Sequence, residues 1–299
     1  MKRILLFIGT NLAVMLLISI IGSALGVDRY LTRTGLDLPK LLAYSAVIGF
    51  TGSIFSLLIS KWMAKFAYSI HIIDQPANQP EQWLVDKVRE LSKKAGVAMP
   101  EVGVYESEEV NAFATGPTRN HALVAVSSGL IHNMNLRQIE GVLAHEMSHI
   151  ANGDMVTMTL LQGVLNTFVV FFSKIIGYAI DQALRGNDER RSGPGWGYFI
   201  GSLVAQLVLG LFASMIVMAF SRHREFRADA MAAKLEGKDA MISALQRLQQ
   251  ITQGGGVLDD RAQSVSAFKI NHPTQGIWSI LNASHPPLEA RIAALQALA

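Results

Sequence analysis

The chain has 299 residues, enough for one large domain or two smaller ones. Half are apolar and only 16% are charged, against about 25% in an average soluble domain, so the balance points to a membrane protein. The net charge is +3 with the basic residues scattered, which gives no case for a nucleic-acid partner, and the absence of cysteine excludes disulfides, thiolate metal sites and cysteine nucleophiles.

After Met1-Lys2-Arg3, residues 4–27 are apolar and uncharged. A bilayer span needs about 20 such residues and a cleavable signal core has about 7–15, so an uncleaved anchor is expected. Residues 28–37 read as a short polar connection. Residues 41–59 are a second uncharged run, bracketed by Lys40, Lys61, Trp62 and Lys65 as a membrane interface favours. From residue 66 the composition becomes that of a soluble domain. The stretch 71–80, with two Gln-Pro pairs, reads as a linker. Residues 83–95 carry Trp83, Leu84, Val88 and Leu91 among charges, an amphipathic helix closed by Gly96. Residues 102–105, 112–115 and 123–126 are short strand candidates, and Ser127-Ser128 can cap a helix.

Residues 136–152 have helical spacing, with Ile139, Val142 and Leu143 apolar and a stop at Asn152-Gly153. Residues 156–180 are a third apolar run, interrupted by several polar residues and Lys174; these would face protein rather than lipid. A polar loop (181–195) leads to a fourth run, 196–220, without charge. Helices are then expected over 224–236, 239–252 and 286–299, with Gly254–Gly256 a break and 258–284 a long loop. The expected fold class is α+β, mainly helical, with about four transmembrane helices. Its parts are a membrane hairpin (1–65), half of a soluble domain (66–155), a second hairpin (156–220) and the other half (221–299). An even number of crossings returns the chain to the side it left, so the two soluble halves can form one domain. Basic residues flank the membrane ends almost equally on the two sides, so charge alone leaves the side open.

Within the helix 136–152 lies His145-Glu146-Met147-Ser148-His149. Residues four apart share a helix face, so both imidazoles can meet one metal ion, with Glu146 close enough to reach a water on it. A catalytic zinc keeps three protein ligands and one open position. A third histidine six residues on is excluded, because positions 152 and 155 are Asn and Met. Glu225 and Asp229, four apart, offer the alternative: Glu225 as ligand and Asp229 as acceptor of a ligand histidine's free N–H. His223 is another possible ligand, and both acids could instead pair with the neighbouring arginines.

H-E-M-S-H, then an apolar hairpin, then Ser221-Arg222-His223-Arg224-Glu225-Phe226-Arg227-Ala228-Asp229, resembles the HtpX family of membrane zinc endopeptidases, related to the CAAX prenyl endopeptidases. The resemblance extends to the two N-terminal spans, to residues 111–116 and to residues 284–292. It implies a zincin-like (gluzincin) catalytic domain, with one Zn2+ held by His145, His149 and Glu225 and with Glu146 as catalytic carboxylate. It also implies a bacterial-type inner membrane, an active site facing the cytoplasm, and damaged membrane proteins as substrates under stress.

Two further roles are read from the residues. His285, between a loop and a helix, is a candidate donor to the transition state, or else a turn histidine fixed by two prolines. Asn111, Ala112, Phe113 and Ala114 form a candidate edge strand that could pair with an extended substrate through its backbone, or an ordinary strand. Expected partners are protein substrates and the bilayer, with self-association left open. Three competing readings remain. Charges on both sides of the motif argue against an intramembrane site. A non-enzymatic zinc carrier would not need Glu146. A prenyl-protein peptidase is the closest enzymatic alternative.

Overall fold

A computed structural model describes residues 2–27, 29–32, 35–185, 194–253 and 285–298, with side chains from residue 12 onward except 185. The break at Gly254–Gly256 and the loop 258–284 lie outside the described residues. In chain order the elements are α1 (Lys2–Ala24), β1 (Leu31–Thr32), β2 (Gly35–Leu36), α2 (Leu38–Tyr68), β3 (His71–Ile72), α3 (Gln79–Ala95), β4 (Glu101–Tyr105), β5 (Ala112–Thr115) and β6 (Leu123–Ser127). There follow α4 (Ser128–Asn133), α5 (Leu136–Asn152), α6 (Asp154–Arg185), α7 (Trp196–Glu236), α8 (Lys238–Gln253) and α9 (Leu288–Gln296). The fold is mainly helical with two small sheets.

Among the described residues three helices, α2, α6 and α7, are long and apolar enough to cross a membrane, where the sequence suggests about four. The first apolar run forms α1, of which Leu12–Ala24 counts as a shorter apolar helix. The fourth run and the helix expected at 224–236 are one continuous helix, α7. No glycine or proline separates them, so the change from apolar to charged residues at Ser221 marks a change of surroundings and not a helix end. Two short elements escape the sequence pattern: the β1–β2 pair within the polar connection, and β3 within the expected linker.

The chain divides into two compact units, with boundaries inside α2, α6 and α7. The first unit (1–56 and 158–217) has Tyr30, Leu41 and Tyr198 at its core, with the Tyr30 and Tyr198 hydroxyls 3.1 Å apart.

The second unit (57–157 and 218–299) holds a four-stranded sheet in the order β3-β4-β6-β5. β6 pairs parallel with β4 and antiparallel with β5, which leaves β5 at an edge. β6 is buried throughout, as an inner strand requires. The core of the unit is built on α5: Ile139, Val142, Leu143, Met147 and Ile150 are all buried, each contributing about 1.5–3 kcal/mol by removal from water. Asn135 and Gln138 form a capping box at the start of α5. Gly141 lets α8 cross closely, since a Cβ there would lie 2.6 Å from the Ala240 carbonyl oxygen. Gly153 ends α5 with φ 69°, a left-handed turn that starts α6 at the next residue.

Candidate metal centre and active site

α5 presents His145 and His149 one turn apart, and α7 brings Glu225 against them. The Nε2 atoms of His145 and His149 are 3.0 Å apart. Glu225 Oε2 is 3.3 Å from His145 Nε2, and Glu225 Oε1 is 3.4 Å from His149 Nε2. All three residues are buried. Neither oxygen of Glu225 makes a hydrogen bond of good geometry among the described residues, although both are shut off from solvent.

The outer nitrogens explain the convergence. His145 Nδ1 lies 2.8 Å from Asp229 Oδ1, and His149 Nδ1 lies 2.6 Å from Asp154 Oδ2. Each carboxylate takes an Nδ1–H, which turns the Nε2 lone pair inward. Two ring nitrogens and a carboxylate then face one point, a donor set that suits a cation once both nitrogens are free of protons. Ligands about 2.0–2.1 Å from a tetrahedral ion stand about 3.3–3.4 Å apart. The two nitrogens stand 3.0 Å apart, and each has a different oxygen of Glu225 at 3.3 or 3.4 Å, a spacing close to that of ligand atoms on one ion. In the metal-free chain, burial opposes the charged form of His145, but hydrogen bonds and charge from Asp229 and Glu225 outweigh it and raise its pKa to about 9. Burial drives His149 the other way, down to about 4.

Glu146 projects from the same helix toward the sheet edge, where one of its oxygens accepts a hydrogen bond from the backbone N–H of Ala114. Its Oε1 is buried with no hydrogen-bond partner among the described residues. Burial pushes this carboxyl up to about 8 in the metal-free chain; a dication at the neighbouring ligands acts in the opposite sense. β5 is built for the contact. Asn111 O accepts from Ser127 N, so residues 111, 113 and 115 bond inward to β6, while Ala112 and Ala114 turn their backbone groups to the free edge.

With this geometry in view, the sequence of the chain was compared with known families and structures. The sequence model of peptidase family M48 matches residues 78–299. A protease HtpX homolog of Methylacidiphilum infernorum is 56% identical over 296 residues, covering 99% of this chain and 98% of that one. The chain belongs to peptidase family M48, among its HtpX proteases. A second HtpX homolog, from Chlorobium phaeobacteroides, is 54% identical over 297 residues and covers 99% of each chain. The crystal structure of S. mikatae Ste24p superposes with a TM-score of 0.61 at 21% identity, over 85% of this chain and 58% of that one. The Ste24p likeness concerns the fold, and this chain spans 58% of that protein's length. HtpX membership and the three long apolar helices make the chain an integral-membrane metallopeptidase.

In this HtpX chain the residues singled out in the sequence come together. His145, His149 and Glu225 form one cluster with Asp229 behind it, and Glu146 sits beside the free edge of β5. His285 is buried with Nδ1 3.0 Å from Glu225 Oε2, and burial holds its pKa down. His223 is exposed and outside the cluster. Two residues were not foreseen. Asp154, after the helix stop, reaches back to His149. Arg291 on α9 is buried and grips Asp229 with Nε and Nη2, both at 2.7 Å. The spacing of an acid just beyond a glycine stop could have pointed to Asp154; nothing local marks Arg291.

The end of α7 is held by charge. Lys87 of α3 meets Glu90, Glu140 and Glu236 at 3.0, 3.1 and 3.2 Å. Arg137 of α5 bonds the Glu236 carbonyl at 2.9 Å, and Lys94 bonds that of Leu235 at 3.1 Å. Cations on the last carbonyls of a helix suit its dipole. This clasp sets α7 against α5 and so sets Glu225 against the two histidines.

Proposed function

We propose that this protein is a zinc endopeptidase that cuts misfolded or damaged membrane proteins, with His145, His149 and Glu225 as the ligands of one zinc ion. The observation that carries this reading is the buried convergence of two Nε2 atoms and a carboxylate within 3.4 Å, beside a carboxylate with a spare oxygen. When bound, the ion supplies Lewis-acid activation of a water and of the scissile carbonyl. Glu146 Oε1 accepts the proton of the attacking water and later delivers it to the leaving amine. Asp229 and Asp154 hold the two imidazoles in the ligating tautomer. His285 is a donor to the charge that develops on the substrate. The free edge of β5, from Asn111 to Ala114, takes the substrate as an added strand; recognition through backbone groups suits many unrelated sequences.

The four-part organisation proposed is a membrane hairpin (1–65), a first half of the peptidase domain (66–155), a second hairpin (156–220) and the other half (221–299), with α1 as a fourth crossing. The proposed location is a bacterial inner membrane with the site facing the cytoplasm; HtpX relatives of bacteria at 54–56% identity support it. The prenyl-peptidase alternative draws only on a fold likeness to Ste24p.

Glu146→Gln tests the reading. The variant should bind zinc as the wild type does and lose metal-dependent cleavage of an unfolded membrane substrate in detergent. Full cleavage by that variant, or zinc-independent cleavage by the wild type, overturns it.

A further inference from the structure

Two arginines flank Glu225, one beside each oxygen, and they are bonded differently. Arg291 lies on the Oε2 side, with Nη1 at 3.7 Å, and spends Nε and Nη2 on Asp229. Arg224 lies on the Oε1 side, with Nε at 3.7 Å, beyond hydrogen-bond reach. That Nε is buried and makes no hydrogen bond among the described residues. The side chain as a whole is 14% exposed. Its 3.7 Å distance from Glu225 sets the guanidinium beside the cluster of His145, His149 and Glu225. The ion clasp at the end of α7 fixes the helix that carries it.

Peptide hydrolysis creates one new full charge. The water oxygen bonds to the carbonyl carbon, the C=O π pair moves onto the carbonyl oxygen, and Glu146 takes the water's proton. When the C–N bond breaks, the pair returns to re-form C=O and Glu146 gives its proton to the amine. Through both steps the carbonyl oxygen needs a donor already aimed at it. A guanidinium suits this task, being always charged, rigid and rich in N–H groups. His285 stands on the other, Oε2 side of Glu225.

We propose that Arg224 is a catalytic residue of this enzyme, donating a hydrogen bond to the scissile carbonyl oxygen as it becomes an oxyanion. The proposal rests on the zinc-peptidase reading, and Arg224 exchanges no proton in it.

The test uses the full-length protein in detergent, zinc-loaded, as wild type, Arg224→Gln, Arg224→Lys and Glu146→Gln. Four quantities are measured: zinc per chain by elemental analysis, kcat, KM, and binding of a labelled uncleaved substrate in the Glu146→Gln background with and without Arg224→Gln. Arg224→Gln should keep its zinc, keep KM and substrate binding within about threefold, and lose roughly 10²–10³-fold in kcat, as for loss of one oxyanion donor. Arg224→Lys, which keeps the charge, should recover roughly tenfold of that loss. The proposal is overturned by a kcat within about threefold of wild type, by loss of zinc from Arg224→Gln, or by a loss confined to KM. If Arg224→Gln does not fold, the Lys variant decides: roughly 10–100-fold lower kcat at full zinc content supports the role, and unchanged kcat overturns it. Absence of zinc-dependent cleavage by the wild type, or full cleavage by Glu146→Gln, strikes the underlying reading instead.

Discussion

Arg291→Met should undock the C-terminal helix and loosen the metal centre behind it. Arg291 is 1% exposed and makes two hydrogen bonds of 2.7 Å to Asp229. Removing one member of a buried ion pair costs about 3–5 kcal/mol, because the other charge stays buried without its partner. Here Asp229 would keep only His145 Nδ1, at 2.8 Å. The comparison that decides the outcome is with the apolar anchors of α9. Leu288 and Leu295 are its buried leucines, and together they supply about 3–6 kcal/mol. The loss is therefore comparable to what the two buried leucines supply, and α9, with Ile292 as its other apolar contact, is left loosely seated without the pair. Methionine keeps the volume and the apolar stem, so the loss is one of charge. The assay is amide hydrogen exchange over residues 288–296 in detergent, alongside thermal unfolding. Exchange should quicken by roughly 10²–10⁴-fold, the equivalent of 3–5 kcal/mol. Asp229→Asn combined with Arg291→Met should regain part of the stability, since no unpaired charge then remains. Unchanged exchange in α9 of the single variant would refute the reasoning.

Three further outcomes are expected. Asp154→Asn should weaken zinc binding by about 10–100-fold while Tm changes little, because the carboxylate that orients His149 gives way to a neutral amide, a weaker acceptor; a competing chelator measures this, and equal affinity would remove Asp154 from the site. Zinc affinity should rise with pH up to about 9, by about tenfold per unit for one displaced proton, because His145 in the metal-free chain is protonated below about 9 and only its neutral form can ligate. A flat profile between pH 6.5 and 8.5 would contradict that. Lys87→Met leaves Glu140 and Glu236 sharing Arg137, with Lys94 on Glu236 besides, and should cost about 1–3 kcal/mol in thermal or denaturant unfolding; no change would mean that the clasp does not hold α7.

What the sequence makes legible depends on how local the determinant is. His145, Glu146 and His149 are legible because one helical turn fixes their relation, and Glu225 and Asp229 follow by the same rule on a second helix. β3 is illegible because two residues carry no period. Asp154 is hidden by the glycine before it, which reads as an end and in fact turns the chain back toward His149. Arg291 is hidden by distance: it lies 62 residues from its partner, and an arginine in a short amphipathic helix looks like a solvated charge. The length of α7 was misread for a different reason. Hydropathy reports surroundings, whereas helix ends are set by glycine, proline and caps, and none occurs between Leu211 and Glu236.

The buried face of α7 next to the site explains why charge has to position it. Glu225, Ala228, Asp229, Ala232 and Glu236 fall on one face by helical spacing. The apolar members are only alanines, both fully buried. Small side chains let the helix approach α5 closely enough for Glu225 to reach the histidines, but they bury little area and so fix little. The docking strength then falls to the acids: Asp229 through Arg291 and Glu236 through Lys87 and Arg137, with Glu225 added through the proposed metal. Bulky apolar residues at 228 or 232 would hold the helix through area but hold it too far away. This is the sense in which the H-E-x-x-H helix stays incomplete without α7: it supplies two of the proposed ligands, while the third arrives on a helix held largely by charge, at the site and at the Glu236 clasp.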